Sequence, residues 1–269
     1  MAGRFEKMHG LGNDFVVIDA REAAVAMCPG RARAIADRRT GIGCDQLILL
    51  EASATSDARM RIFNNDGSEV EACGNAARAV SLLLSKPAVV ETAGGTIALS
   101  PHDNGATVDM GLPRFDWSEI PLAYAMDTSA MPVAWESLVN PTAVNVGNPH
   151  LVFFVDDIAG VELDRLGPVI ENDALFPDRI NVNVATITGK SALTLRVWER
   201  GAGLTLACGT GACATAVAAI RSKRVTSPVT VTLPGGDLEI AWARGETVRM
   251  TGPATHVFTG EADWASFGP

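Results

Sequence analysis

Two cysteines of this chain stand at the same kind of turn. One is in EACGNAARAV, residues 71–80, and the other is in LACGTGACATAV, residues 206–217. Each follows an alanine and precedes a glycine, a small polar residue and an Ala-rich run of helix-forming composition. A residue at a helix start faces backbone N–H groups without intrahelical partners and the positive end of the helix dipole. Such a place binds carboxylates and lowers a nearby thiol's pKa from its usual value of about 8.5. Each turn therefore offers an ionisable thiol beside a nest for an anion. On opposite faces of one α-carbon, the two thiols would invert it: one takes the proton as thiolate, and the other supplies a proton from behind. The sequence carries the two turns, not their facing.

That chemistry needs no cofactor, and none is expected. There is no GxGxxG dinucleotide loop, Walker loop or pyridoxal-phosphate lysine motif. Zinc is disfavoured: Cys28, Cys44, Cys73, Cys208 and Cys213 form no CxxC pair, and His9, His102, His150 and His256 are scattered. An odd, dispersed set of cysteines also argues against a disulfide framework. Cys213, inside the second helix, reads as packing. The net charge of −9 gives no overall attraction to nucleic acid or anionic membranes. The N-terminal residues lack a signal-peptide core, and runs such as LVFFV at 151–155 are too short to cross a bilayer. A soluble cytoplasmic protein acting on a small molecule is the expectation, with a homodimer left open.

The elements that position the cysteines also come in pairs. Cys208 follows Cys73 at an offset of 135. At the same offset Gly12-Asn13 meets Gly147-Asn148, Val17 meets Val152, Arg61 meets Arg196, and Ala77 and Ala79 meet Ala212 and Ala214. Further on, Gly94-Gly95 meets Gly235-Gly236, and TVDM at 107–110 meets TVRM at 247–250. Ordered matches that include Cys, Asn and Arg indicate an internal duplication.

Each half reads as a Gly-Asn turn, an apolar strand (15–19 or 151–155), an extended segment (59–63 or 193–198), a polar loop, the cysteine, a helix (75–85 or 210–221) and alternating strands. The fold class is therefore α+β: two pseudo-symmetric halves, each strand-rich around one central helix. The expected halves are 1–115 with Cys73 and 116–269 with Cys208. Residues 111–141 look like the connection.

At the cysteines the chain resembles the diaminopimelate epimerase family. The first signature is NNDGSEVEACGNAAR, Asn64 to Arg78, and the second is ERGAG…ACGTGACA, Glu199 to Ala214. HGLGNDF (9–15), GIGCDQL (41–47), VGNPH (146–150) and DRINVNV (178–184) match as well. Ala76 and Ala79 stand where the family usually has glycine and cysteine.

The resemblance implies a cofactor-independent isomerase acting on diaminopimelate, in lysine and cell-wall precursor synthesis. It implies that each half is a barrel-like mixed α/β domain around its central helix, with the last strand crossing back to the first half. It makes Cys73 and Cys208 the acid/base pair. It gives the carboxylate to the amides of Gly74, Asn75, Gly209 and Thr210. Asn13, Gln46, Asn64, Asn148, Asn181, Glu199 and Arg200 would line the substrate site, with His150 and Glu199 tuning the thiols. Arg200 could fork onto a distal carboxylate, while asparagine carbonyls and Glu199 could accept from ammonium groups. The alternatives are a related epimerase of another amino acid, a same-fold isomerase that normally lacks the cysteine pair, and a non-catalytic amino-acid binding protein.

Overall fold

The computed structural model describes residues 2–70 and 73–268. Glu71 and Ala72, the residues just ahead of the first cysteine, lie outside them. The chain divides into two compact units, Met1–Val108 with Gly252–Pro269, and Asp109–Thr251.

The first part of the chain runs β1 (Ala2–Gly10), β2 (Asn13–Asp19), α1 (Pro29–Ala36), β3 (Gln46–Glu51), β4 (Ala58–Asn64), β5 (Glu69–Val70), α2 (Gly74–Leu84), β6 (Ala88–Thr92), β7 (Gly95–His102) and β8 (Gly105–Asp109). The second runs β9 (Ala134–Trp135), β10 (Leu138–Val139), β11 (Thr142–Asn145), β12 (Pro149–Phe154), α3 (Leu163–Glu171), β13 (Asn181–Gly189), β14 (Ala192–Glu199), β15 (Gly203–Thr205), α4 (Gly209–Arg221), β16 (Val229–Leu233), β17 (Gly236–Ala241) and β18 (Arg249–Pro253). Then β19 (Thr255–Asp263) pairs antiparallel with β1, from His9 opposite Thr255 to Ala2 opposite Asp263.

The duplicated sequence folds twice into one strand register. Phe15 of β2 pairs in parallel with Gln46 of β3, and His150 of β12 pairs in parallel with Asn181 of β13. Ile62 pairs with Val70 as Val197 pairs with Thr205. Ala58 pairs in parallel with Val90 as Leu193 pairs with Val231. The period-2 alternation of a strand makes this repetition meaningful, because a slip by one residue would turn every side chain to the opposite face.

Each unit wraps strands around one helix. In the first unit α2 lies against β1, β2, β7 and β19; in the second α4 lies against β11, β12, β13, β14, β16 and β17. Every residue of α4 from Gly209 to Ala219 is buried. A helix apolar all round belongs inside a core, and its alanines let strand backbones approach on every side. The one residue of low helix propensity after the first turn begins is Gly211. A Cβ there would stand 2.7 Å from Asn183 Oδ1 and 3.3 Å from the Cys208 Cβ. Packing thus selects glycine against propensity.

Each half has one central helix, as expected, and α1 and α3 are further helices beside it. α3 contains Gly167-Pro168, a pair of low helix propensity. The glycine is required because the Trp198 ring lies where a Cβ would sit, 2.4 Å from it, and the indole Nε1 donates to Glu171 Oε2 at 2.7 Å. Residues 111–141 are not a mere connection. Ile120, Leu122, Met131 and Leu138 are buried in one cluster with Leu151, Phe153, Val182 and Val184, so the segment covers the core of the second unit. The first unit's principal cluster joins Val16, Ile18, Ile35, Leu47, Leu49 and Phe63.

Candidate active site

Both cysteines are helix N-caps in extended conformation: Cys73 at φ −146°, ψ 111° before α2, and Cys208 at φ −122°, ψ 108° before α4. Their backbone carbonyls accept the first helical bonds, from Ala77 and Ala212, each at 3.0 Å. The repeated turn therefore places a thiol and the first-turn amides of Gly74-Asn75, and of Gly209-Thr210, at the end of each central helix.

In the first unit the turn through Leu11 and Gly12, both at positive φ, aims Asn13 at this helix start. Asn13 Oδ1 accepts from Asn75 Nδ2 at 3.3 Å and faces the Cys73 sulfur at 3.9 Å. Asn13 Nδ2 donates to Asp45 Oδ2 at 3.3 Å. Asn75 is itself held by the fully buried Arg78, whose Nη2 donates to Asn75 Oδ1 at 2.9 Å while its Nε donates to the Pro253 carbonyl at 3.1 Å. Gln46 and Asn64 sit opposite one another on β3 and β4, and Gln46 Nε2 donates to Asn64 Oδ1 at 3.0 Å. Gln46 Oε1 is buried with no partner among the described residues.

The second unit repeats the frame with other side chains. Cys208 is buried, and its sulfur accepts from the Gly211 amide at 3.4 Å and lies 3.5 Å from Thr210 Oγ1. Glu199, at the end of β14, accepts from Thr205 Oγ1 at 2.5 Å. Burial pushes the Glu199 carboxyl above its ordinary range, while Thr205 and Cys208 pull it back.

The thiol behaves opposite to the sequence expectation. Cys208 is pushed well above the ordinary thiol range, first by burial and next by the Glu199 charge. The helix-start amide and Thr210 act in the expected direction but do not overcome desolvation. In this state Cys208 is a protonated donor.

The Asn148 Oδ1 lies 2.8 Å from His150 Nε2, and His150 Nδ1 lies 3.1 Å from Asn183 Nδ2. Burial drives the His150 pKa down to about 3, so the ring is neutral. Its hydrogen-bond partners are Asn148 and Asn183. Asn181 and Arg200 are brought together: Asn181 Oδ1 accepts from the Arg200 backbone N–H at 3.0 Å, and Asn181 Nδ2 donates to the Pro149 carbonyl at 2.8 Å. One arm of the exposed Arg200 guanidinium donates to the Asp178 carbonyl at 2.8 Å.

Sequence reasoning named no role for Asn183, Thr205, Asp45 or Arg78. Asn183 had a signal: it lies two residues beyond Asn181 on one strand, hence on the same face. Arg78 closes the first signature but carried no assignment. Among the described residues no group of three or more His, Cys, Asp and Glu could hold a metal ion, and no helix is long and apolar enough to cross a membrane.

The fold recurs in solved structures of low identity. A probable proline racemase from Agrobacterium radiobacter superposes with TM-score 0.70 at 15% identity, over 99% of this chain and 94% of that one. A hydroxyproline epimerase from Agrobacterium vitis gives 0.65 at 14%, over 97% and 92%. Sequence relatives are far nearer. The diaminopimelate epimerase of Sphingopyxis alaskensis is 67% identical over the whole of both chains. That of Rhizorhabdus wittichii is 66% identical over 100% of this chain and 98% of its own. That of Zymomonas mobilis is 57% identical over 99% and 100%. The family model described as diaminopimelate epimerase matches residues 5–115 and 142–257, which carry both N-cap cysteines and every site residue named above. The chain belongs to the diaminopimelate epimerase family.

Proposed function

We propose that this enzyme interconverts LL- and meso-2,6-diaminopimelate by two-base proton transfer between Cys73 and Cys208, without a cofactor. The observation that carries this reading is the cysteine N-cap made twice, at the same register of a duplicated fold. In one direction the Cys73 thiolate takes the α-proton, breaking the C–H bond and forming S–H, and the Cys208 thiol gives its proton to the opposite face. In the reverse direction Cys208 must first lose its proton. It does so by giving its proton in the forward step, which leaves Cys73 as the thiol and Cys208 as the thiolate, the pair that the reverse step starts from. To repeat the forward step, Cys73 must lose its proton and Cys208 regain one, and Glu199, beside Cys208 and raised in pKa, is suited to return it.

The remaining roles follow from which groups donate and which accept. The amides of Gly74, Asn75, Gly209 and Thr210 hold the reacting carboxylate at two helix starts. Gln46 Oε1, without a partner among the described residues, calls for a donor such as a substrate ammonium. Asn13, Asn64, Asn148, Asn181, Glu199 and Arg200 complete the lining, and His150 acts through Asn148. The product serves lysine and cell-wall precursor synthesis. Cytoplasmic residence and a homodimer belong to the same reading.

The test is proton NMR of LL-diaminopimelate with reduced enzyme in D2O. Loss of the α-proton signal with appearance of the meso isomer is the expected result. No exchange by folded, reduced protein would discard diaminopimelate, and a panel of other amino acids would then be tried.

A further inference from the structure

We propose that Asn183 is a positioning residue for the site amide of Asn148: it holds His150 as the Nε2–H tautomer, and the ring in turn fixes which end of Asn148 faces outward. Asn183 is completely buried on β13, and its Nδ2 donates to the Leu151 carbonyl at 3.1 Å. A carbonyl only accepts, so the NH2 end of the Asn183 amide is the end at that position. The same Nδ2 lies 3.1 Å from His150 Nδ1. Facing a pure donor, Nδ1 must be the bare, accepting nitrogen.

The ring's burial keeps it neutral, which leaves its single proton on Nε2. That N–H donates to Asn148 Oδ1 at 2.8 Å. The Asn148 carbonyl is thereby occupied and its NH2 turned away from the ring. What Asn148 presents is a donor.

Two further observations favour a positioning role over simple packing. Asn183 Oδ1 is buried with no partner among the described residues. An apolar side chain would avoid that cost, and at the equivalent places of the first half Ile48 and Phe15 stand where the second has Asn183 and His150. In the first half, Asn13 is oriented differently, with Asn75 Nδ2 donating to its Oδ1 and Asp45 accepting from its Nδ2. Both halves occupy the carbonyl of their turn asparagine, one through a second asparagine and the other through a histidine whose tautomer must be chosen. Gly211 makes room for the device, since a Cβ there would meet Asn183 Oδ1 at 2.7 Å.

Only the identity of what Asn148 contacts rests on the proposed function; the tautomer does not. The test uses the reduced full-length enzyme labelled with 15N-histidine, with long-range 1H–15N correlations assigned by loss of the His150 signal in His150→Gln. The expected result is a protonated Nε2 and a bare Nδ1. An Nδ1–H tautomer in the unaltered protein would overturn the proposal, whatever the variants do. Asn183→Asp sets a carboxylate opposite Nδ1 and should move a proton there. Asn183→Ile, which copies the first half, should abolish the preference and lower kcat/KM for diaminopimelate about tenfold, mainly through KM. A folded Asn183→Ile enzyme that keeps the Nε2–H tautomer and its KM also sinks it. Turnover with an Nδ1–H ring defeats this inference alone. An Nε2–H ring in an enzyme inert towards diaminopimelate defeats the substrate reading instead.

Discussion

The Glu199 carboxylate and the Cys208 thiol move each other's proton affinity: the acid's charge raises the thiol, and the thiol lowers the acid. Burial dominates both, yet the coupling is separable by substitution. In Glu199→Gln the negative charge disappears while the shape remains, so Cys208 should ionise at lower pH than in the unaltered enzyme. Thiolate ultraviolet absorbance, taken as a difference against matching Cys208→Ala proteins, reads this directly. An unchanged or upward-shifted titration would remove Glu199 from the account of this thiol.

Each cysteine should be indispensable to epimerisation for a different face of the α-carbon. A positioned acid or base contributes about 10²–10⁴-fold, so Cys73→Ala and Cys208→Ala should each lose at least that factor in kcat. Stopped assays with chiral product analysis check it. Near-normal turnover in either variant would mean that another group serves that face.

Gly211→Ala separates helix propensity from packing. Alanine should stabilise an open helix by about 1 kcal/mol relative to glycine. Here the added methyl meets Asn183 Oδ1 at 2.7 Å and the Cys208 Cβ at 3.3 Å inside a filled core. Overpacking costs roughly 1–3 kcal/mol, so a net loss of stability is expected. Urea unfolding of the reduced protein gives the sign, and a net gain would show that Asn183 yields freely.

Much of this site was legible because its parts are local. The ACG turns, the Gly-Asn turns and the alternating strands are short-range signals, and duplication doubled each of them. The observed α2 and α4, Gly74–Leu84 and Gly209–Arg221, begin within a residue of where composition placed them. What stayed hidden depends on residues far apart in the chain. Gly167 looks like a helix breaker until Trp198 is laid over it, and Gly211 looks misplaced until Asn183 stands beside it. The direction of the Cys208 shift was hidden for the same reason: a motif carries the helix dipole but not the burial that outweighs it.

Arg78 ties the Cys73 turn to the returning end of the chain, through Asn75 Oδ1 on one side and the Pro253 carbonyl on the other. Arg78→Met keeps the length and apolar volume but removes both of these donors. Each buried polar group left unsatisfied costs about 1–3 kcal/mol. A destabilisation in that range is expected, with faster amide exchange in β19, the strand that follows Pro253. Arg78→Lys should recover only part of it, since an ammonium cannot reproduce the fork. Unchanged exchange in β19 would confine Arg78 to the helix.

His150 makes the acid side of the stability curve. Its pKa falls from 6.5 to about 3 because the buried cation is desolvated. The unfolded chain therefore binds a proton that the folded one refuses. The corresponding stability is fully present above the unfolded value and is lost as pH falls through the window down to about 3. One pKa unit is worth about 1.4 kcal/mol, so roughly 2–3 kcal/mol should be gone near pH 4.5. Other groups titrate in that range, and the difference between the unaltered enzyme and His150→Gln isolates this one. Glutamine cannot charge, so its unfolding free energy should fall less steeply between neutral and acid pH. Parallel pH dependences in the two proteins would mean that the folded ring accepts its proton normally, and that the enclosure around Asn148 is open to water.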